Sequence, residues 1–167
     1  MHDELTKKDL EKMQAELDER RLKLMPELIE EVKRTRAFGD LSENYEYKAA
    51  KQAQNRNKSR IRYLEKMIES AKVYEDTSAA DEIGLYDTVV LYLPEEDETE
   101  TVQVVTTVRC DPLNGRISKE SPLGRMLLGK KAGDRFTVQV NETYSYEAVV
   151  KSITKGEDDG SAALLQY

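Results

Sequence analysis

Three carboxylates lie close together in this sequence, at Asp40, Glu43 and Glu46, between two long stretches with helical patterning. A hard cation such as Mg²⁺ commonly takes one or two protein carboxylates and completes its shell with water and phosphate. Such a site works only when a phosphate-bearing partner supplies the remaining ligands. A structural role fits the same residues, because Asp40 can cap a helix and the two glutamates favour its positive N-terminus.

The other residues with catalytic chemistry are too few or too isolated to form an active site. His2 is the only histidine and lies in the N-terminal segment, so the sequence offers no histidine general base and no catalytic triad. Cys110 is the only cysteine, and we expect it to be a small buried residue at a strand end. The sequence contains neither a Walker A phosphate loop nor a dinucleotide-binding glycine motif.

The first helical pattern begins near Thr6, where Thr6 and Asp9 have the spacing of a capping box. Pro26 lies inside this pattern. Because proline removes a backbone hydrogen bond, it predicts a bend near residues 22–26. The apolar stripe that identifies this helix consists of Leu10, Met13, Leu17, Leu24, Leu28 and Val32.

The second helical pattern has the alternating steps of three and four residues that define a heptad repeat. Its seam consists of Tyr47, Ala50, Gln54, Asn57, Ile61, Leu64, Ile68 and Ala71. Gly39 is the natural point of reversal between the two patterns, because glycine accepts a positive φ freely. Asp40 or Ser42 is then expected to cap the returning helix. The two patterns together predict a long antiparallel coiled-coil hairpin.

Basic residues are concentrated in the second helical pattern. Positions 48–66 contain seven basic side chains and a single acidic residue, Glu65. A solvated helix face explains this excess, and so does a stripe that faces the phosphates of a nucleic acid. The chain as a whole has 167 residues and a net charge of −7, which argues against a general nucleic-acid coat protein.

The second half of the chain changes to a period of two residues, which predicts strands at 88–93, 101–108, 135–140 and 144–153. Ser121, Pro122 and Gly129 mark the start and the end of one short helix. The fold class is therefore α+β, with a coiled-coil hairpin followed by a small antiparallel-sheet domain. We assign residues 1–76 to the coiled coil with an acidic tip near 39–46, 77–83 to a linker, 84–155 to the globular domain and 156–167 to a flexible tail.

No apolar run approaches the roughly 20 residues that a membrane helix needs, and the first eight residues lack the apolar core of a secretory signal. The sequence therefore predicts a cytoplasmic protein without a membrane-spanning segment. We expect it to be a monomer, and the long seam also permits pairing between molecules.

Two stretches resemble the signatures of one protein family, the bacterial Gre transcript-cleavage factors, with the greater similarity to GreA-like members. The first runs from Thr35 to Lys51 and contains the three carboxylates; the second runs from Ser121 to Asp134. Their order and separation also match, and the resemblance covers roughly residues 5–155. It implies a coiled coil followed by a globular domain similar to FKBP-type isomerases.

The resemblance implies that the protein binds RNA polymerase. The coiled coil would enter the secondary channel, and the globular domain would dock at its rim. The acidic pair of the family falls on Asp40 and Glu43, which would help to hold a Mg²⁺ ion shared with the polymerase active centre and not bound stably by the protein alone. The protein would then be no enzyme itself, but would stimulate the polymerase to cleave its own backtracked RNA.

The resemblance also indicates which side chains meet these partners. Ser121 and Pro122 are candidates for docking on the polymerase, and a helix-capping role explains them equally well. The candidates for contact with the nascent RNA 3′ end are Arg36, Asn44, Lys48, Lys51 and Arg56.

Two positions depart from the family pattern. Ser42 stands where a basic residue is often found, and Tyr45 stands where a small residue is common. Neither change removes a carboxylate, and an aromatic ring at position 45 is able to stack on a base.

Two other functions fit parts of the sequence. A channel-binding protein that inhibits or modulates the polymerase without cleavage would share the fold, but the retained Asp40 and Glu43 argue against it. A peptidyl-prolyl isomerase would need a pocket lined with aromatic side chains. Residues 77–167 contain a single phenylalanine, Phe136, and no tryptophan, which argues against this enzyme.

Overall fold

The protein consists of two compact units, seen in a computed structural model that describes residues 4–39 and 44–166. The helical unit comprises Leu10–Lys72. The globular unit comprises Glu4–Asp9 together with Val73–Gln166. The mixed α+β class predicted from the sequence is confirmed.

Helices dominate the first half of the chain. Helix α1 spans Lys7–Glu19, a π-helical turn spans Arg20–Leu24, α2 spans Met25–Arg36 and α3 spans Tyr45–Ser70. None of the helices in residues 4–39 and 44–166 is both long enough and apolar enough to cross a membrane. The capping box predicted at the start of α1 is confirmed. The Thr6 N–H donates to Asp9 Oδ2 over 3.0 Å, and the Asp9 N–H donates to Thr6 Oγ1 over 3.2 Å.

Helix α3 runs antiparallel to the helical segments that precede it. Arg60 donates to both carboxylate oxygens of Glu16, over 2.8 and 3.1 Å, and Arg20 Nη1 donates to Asn57 Oδ1 over 2.9 Å. Residues later in the first segment thus meet residues earlier in α3, as two antiparallel helices require. Asn57 is buried and bonded to Arg20, so this polar seam residue ties the two helices at one register.

The buried side chains of the helical unit follow the predicted stripes with two changes, at Thr35 and Arg60. They are Met13, Leu17, Val32 and Thr35 before the reversal and Ala50, Gln54, Asn57, Arg60 and Leu64 in α3. Arg60 takes the inward position that the heptad pattern assigned to Ile61, because its guanidinium reaches Glu16. Burial by itself raises the pKa of Glu16, but hydrogen bonds from Arg60 and Arg20 outweigh it, so the pKa lies below its ordinary value.

The π-helical turn at Arg20–Leu24 lies where the sequence predicted a bend. In a regular α-helix the ring of Pro26 would meet the carbonyl of Leu22 and leave it without its usual N–H donor. The π-turn replaces that geometry with a wider hydrogen bond, from the Met25 N–H to the Arg20 carbonyl. Pro26 then occupies the first turn of α2, where a missing N–H costs little.

The strands of the described residues are β1 (Glu4–Leu5), β2 (Lys72–Val73), β3 (Thr88–Leu93), β4 (Glu98–Val105), β5 (Arg116–Ser118), β6 (Arg135–Gln139) and β7 (Ser145–Thr154). Five of them form one sheet in the order β5-β4-β3-β7-β6. The sequence predicted a wholly antiparallel sheet. This prediction is wrong for one pair of strands, because β5 pairs with β4 in parallel. Strand β5 was not predicted, since three residues are too few to show a period of two.

One face of this sheet and the short helix α4 (Pro122–Leu127) enclose the core of the globular unit. Val89 and Leu91 of β3 and Leu127 of α4 are fully buried there. Gly124 of α4 lies against the backbone of Ser118: a Cβ atom at this position would come within 2.0 Å of the Ser118 carbonyl oxygen. Only glycine therefore fits at position 124.

The tail residues 156–166 pack on the globular unit. Ala162 and Leu164 are buried, and the Leu165 N–H donates to the Val108 carbonyl over 2.7 Å. The flexible tail predicted for 156–167 is therefore wrong for these described residues. Its acidic, glycine-containing beginning suggested mobility, whereas the apolar residues that follow are the part that packs.

Arg109 joins the two terminal segments within the globular unit, and its side chain is fully buried. Nη1 donates to Asp9 Oδ1 over 3.0 Å and to Asp158 Oδ2 over 2.9 Å, and Nη2 donates to Asp158 Oδ1 over 2.7 Å. Nε donates to the Ala162 carbonyl over 2.6 Å. These bonds explain why Glu4–Asp9 group with the globular unit and not with the coiled coil that was assigned to residues 1–76.

Replacing Arg109 with methionine should strongly destabilise the globular unit. The change leaves the buried carboxylate of Asp9 and that of Asp158 without their cation, a loss of about 3–5 kcal/mol in the free energy of unfolding. Urea denaturation followed by circular dichroism measures the change. Arg125→Met is the matched control, because Arg125 pairs with Glu120 at the surface and should cost less than about 1 kcal/mol. Equal stability of the two variants would contradict a central role for Arg109.

The same network should make stability depend on pH. Burial by itself raises the pKa of the Asp158 carboxyl, but hydrogen bonds from Arg109 and from the Gly160 N–H outweigh it, and the pKa lies below its ordinary value of 3.8. A carboxyl with a depressed folded pKa stabilises the fold above its unfolded pKa, and that contribution is lost as the pH falls through the folded value.

We therefore expect Asp158→Asn to lower the melting temperature at neutral pH and to lose this difference from the native sequence below about pH 4. Thermal melts between pH 2 and pH 7, in steps of about half a pH unit, would show the convergence. Glu157→Gln changes an exposed neighbouring carboxylate and serves as the control, with parallel curves expected throughout. A constant difference between Asp158→Asn and the native sequence would count against the ion pair.

Candidate functional site

The candidate site lies on either side of residues 40–43, where α2 ends and α3 begins. We call the described residues there, 34–39 and 44–51, the hairpin end. Asn44 Nδ2 donates to the backbone carbonyl of Thr35 over 2.6 Å, and the fully buried Thr35 hydroxyl donates to the Glu31 carbonyl over 2.9 Å. Asn44 thus holds the start of α3 against the end of α2. Gly39 has a φ of 105°, as expected for a residue that begins a chain reversal.

Asn44 is the N-cap of α3, which corrects the expectation that Asp40 or Ser42 would cap this helix. Its Oδ1 accepts from the Tyr47 N–H over 2.9 Å, and the helix begins at Tyr45. The half-buried Asn44 side chain therefore uses its oxygen for the cap and its nitrogen for the bond to α2. These bonds give it a structural role, and its contact with RNA stays a prediction.

Three of the predicted RNA-contacting cations, Arg36, Lys48 and Lys51, are exposed at the hairpin end. Among residues 4–39 and 44–166, no carboxylate forms an ion pair with any of them, whereas the neighbouring Arg34 pairs with Glu31. The Arg36 guanidinium lies 5.9 Å from the centroid of the Tyr47 ring. Exposed cations that pair with no described carboxylate suit an external anion such as phosphate.

Arg56, the remaining predicted RNA contact, lies apart from the hairpin end. It is exposed, and its twelve-residue separation from Asn44 corresponds to about 18 Å along an α-helix. It lines a surface groove of about 580 Å³ together with Gln52, Asn55, Ser59, Arg60 and Tyr63. The structure therefore brings Asn44 and the three cations of the hairpin end together and leaves Arg56 at a distance.

Ser121 and Pro122 open α4 in the globular unit, and the predicted helix cap is confirmed. The Gly124 N–H donates to Ser121 Oγ over 3.0 Å, and the Ser121 hydroxyl donates to the Ser118 carbonyl over 2.7 Å. The Ser121 hydroxyl is thus used within the fold, while Pro122 is exposed at the first helical position. Docking of this pair on a polymerase stays a prediction.

Asp40 and Glu43, the predicted metal-binding pair, lie outside the described residues, as does Ser42. The described part of the chain contains no group of three or more side chains that could hold a metal ion. Glu46 is exposed in the first turn of α3. The donor set of two carboxylates fits Mg²⁺ that is completed by water and phosphate, and does not fit a free-standing metal centre.

Sequence reasoning missed Phe38, which follows α2 and exposes 56% of its surface, with the Arg34 guanidinium 5.2 Å from its ring centroid. A signal was present in the sequence, because Phe38 and Tyr45 place aromatic rings on both sides of the reversal. The second missed residue is Thr35, whose carbonyl anchors Asn44. Nothing in its sequence context marks a threonine near a helix end for that contact.

Comparison with known proteins identifies the family. Residues 4–73 match the model described as "Transcription elongation factor, N-terminal", and residues 77–155 match "Transcription elongation factor, GreA/GreB, C-term". The chain therefore belongs to the GreA/GreB family of transcription elongation factors. The tail from residue 156 onward lies beyond both matches.

Relatives named transcription elongation factor GreA are similar over most of the chain. The protein of Lactococcus lactis subsp. cremoris (strain MG1363) is 43% identical over 78% of this chain and 84% of its own length. That of Thermosipho melanesiensis is 45% identical over 78% and 83%. That of Streptococcus pneumoniae serotype 19F is 38% identical over 90% and 94%.

Among solved structures, that of GreA factor homolog 1 of Thermus thermophilus is 28% identical, with 93% of this chain and 100% of that chain covered and a TM-score of 0.43.

Replacing Asn44 with alanine should destabilise the helical unit. The change removes both the cap of α3 and the bond to Thr35, and the cap alone is worth about 1 kcal/mol. Asn44→Asp keeps an acceptor for the Tyr47 N–H and loses only the donor, so it should cost less. Thermal unfolding monitored at the helix band of circular dichroism measures both. Asn55→Ala, an exposed asparagine of the same helix, should leave the melting temperature unchanged or slightly raised.

Proposed function

We propose that this elongation factor is a transcript-cleavage factor. It binds bacterial RNA polymerase through the secondary channel and stimulates the polymerase's own endonucleolytic cleavage of backtracked nascent RNA, which rescues arrested complexes. The observation that carries the proposal is the match of both halves of the chain, in order, to the two family models. The protein is not itself the nuclease, because the centre that breaks the RNA bond belongs to the polymerase.

The helical unit is the part that would enter the channel, as an antiparallel coiled coil. The helical segment before the reversal and α3 are held at one register by the Glu16–Arg60 ion pair and by the Arg20–Asn57 hydrogen bond. A fixed register sets how far the hairpin end extends beyond these contacts. The globular unit, which we expect to resemble FKBP-type isomerases, would dock at the rim of the channel, with Ser121 and Pro122 as candidate contacts.

The cations of the hairpin end would meet the RNA that leaves the active centre during backtracking. Arg36, Lys48 and Lys51 are exposed and make no ion pair with the described carboxylates, so a phosphate could bind them without displacing any of these carboxylates. The net charge of −7 gives no general attraction to RNA. Recognition would therefore depend on this local excess of positive charge, with Arg56 as a more distant contact.

Asp40 and Glu43 would supply carboxylate oxygens to a Mg²⁺ ion shared with the polymerase. In two-metal phosphodiester hydrolysis such an ion activates water and balances charge on the phosphate. The contribution of this chain is to present two carboxylates between two helix ends that Asn44 ties together. Two carboxylates alone would hold the ion weakly, so productive binding would need the polymerase.

A channel-binding inhibitor without cleavage activity is the less favoured function. Such a protein would need no carboxylates at the reversal, whereas this sequence keeps both Asp40 and Glu43. The similar proteins are named elongation factors, which also agrees better with rescue than with inhibition.

Asp40→Asn and Glu43→Gln should each reduce transcript cleavage on the order of a hundredfold or more, because each removes a charged ligand next to the reacting phosphate. The assay uses bacterial RNA polymerase stalled in a backtracked complex with labelled RNA and Mg²⁺, and it measures release of short 3′ fragments. Binding to the polymerase, measured by competition with the native protein, should be nearly unchanged.

Glu46→Gln is the matched control, since it removes an exposed carboxylate three residues further on and should leave cleavage within about twofold of the native rate. Slower RNA synthesis without cleavage by the native protein would instead support the channel-blocking function. If the native protein neither slows RNA synthesis nor stimulates cleavage, RNA polymerase is not its partner.

A further inference from the structure

Two aromatic side chains at the hairpin end are exposed without contributing to a core. Tyr45, the first residue of α3, exposes 80% of its surface, and Phe38 exposes 56%. Aromatic rings usually bury most of their surface, since each can remove about 150–250 Å² from water. Two exposed rings, one before and one after the same short reversal, are therefore accessible to a ligand that covers them.

Each ring has a cation next to its face. Lys48 Nζ lies 5.6 Å from the Tyr45 ring centroid, and the Arg34 guanidinium lies 5.2 Å from that of Phe38. Arg34 is held by Glu31 through hydrogen bonds of 2.6 and 2.9 Å. Lys48 has no carboxylate partner within the part of the chain that the structure describes. Tyr45 and Lys48 thus offer an exposed aromatic ring beside an ammonium group that no described carboxylate binds.

An unpaired nucleotide has the two groups that such a pair binds. Its base stacks on an aromatic face, and its phosphate accepts a charge-assisted hydrogen bond from a lysine. We propose that Tyr45 and Phe38 form a stacking site for the unpaired bases at the 3′ end of backtracked RNA, with Lys48 on the adjoining phosphate. This inference rests on the proposed function and names the ligand that the hairpin end holds.

The cations beside the two exposed rings favour RNA over a protein surface as the occupant. Between residues 34 and 51 the sequence has four cations and three carboxylates, Asp40, Glu43 and Glu46, so binding depends on these local contacts and not on a general positive charge. Stacking also tolerates any base, because every base has a π-face. A factor that acts on transcripts of every sequence needs this tolerance. Stacking would hold the displaced 3′ nucleotide still while the polymerase cleaves the strand, so Tyr45 is a positioning residue.

Stacking can be measured directly by fluorescence. The RNA of a polymerase complex receives a mismatched, unpaired 3′ nucleotide that carries 2-aminopurine, an adenine analogue whose fluorescence falls when it stacks. All variants carry Asp40→Asn, so that the probe is not cleaved off during the measurement. We expect the protein to quench the probe, and Tyr45→Ala to remove most of this quenching. Tyr45→Phe, which keeps the ring, should retain it.

Cleavage kinetics supply the second readout, in proteins with Asp40 intact. Tyr45→Ala should lower the maximal cleavage rate roughly tenfold, the size of effect that loss of one stacking ring has. The concentration for half-maximal cleavage should change less than about twofold, because docking on the polymerase uses other surfaces. Phe38→Ala should have a smaller effect of the same kind, since Phe38 is less exposed. Tyr144→Ala removes an exposed tyrosine of the globular unit and should change neither quantity.

Two results would overturn the inference. One is unchanged quenching in Tyr45→Ala. The other is a raised half-maximal concentration at an unchanged maximal rate, which would place the ring against the polymerase protein. Failure of the proposed function gives a different result: the native protein would then release no fragments. Quenching that depends on the Tyr45 ring would in that case still support stacking.

Discussion

The buried guanidinium of Arg109 is the interaction on which the globular unit depends. It gathers a carboxylate from the first turn of α1, a carboxylate from the tail and a tail carbonyl around one site closed to water. A charge in such a site costs several kcal/mol unless hydrogen bonds replace its lost hydration. Arg109 makes four such hydrogen bonds. The network therefore stabilises only an arrangement that brings together the first turn of α1, Arg109 and the tail. The tail, which lies beyond the family match, completes this site.

Polar side chains serve two purposes in the helical unit, according to where they lie along α3. In its middle part they are paired: Asn57 and Arg60 bond to Arg20 and Glu16, and they set the register of the helices. At the hairpin end, Lys48 has no carboxylate partner among the described residues. The paired groups are thus fixed by the fold, and no described carboxylate competes with an external anion for Lys48.

Contacts between residues that are close in the sequence could be predicted, whereas contacts between residues far apart in the sequence could not. The caps at Thr6 and Ser121 were predicted because all their partners lie within three residues. Arg109 was missed because its carboxylate partners are 100 and 49 residues away, and no periodicity records such a contact. At the reversal, three residues that favour caps lie within five positions. Only the geometry shows that Asn44, and not one of the earlier two, caps α3.

The π-turn at Arg20–Leu24 makes the packing of the helical unit sensitive to insertions and deletions within this turn. A turn closed by a bond over five residues contains one residue more than an α-turn, so α1 and α2 are two helical segments with separate phases. Each residue of an α-helix advances the side-chain direction by about 100°. A one-residue deletion in this turn would change the phase of α2 against α1 and rotate Val32 and Thr35 away from their buried positions. Evolution can therefore exchange residues within the turn more easily than it can change their number.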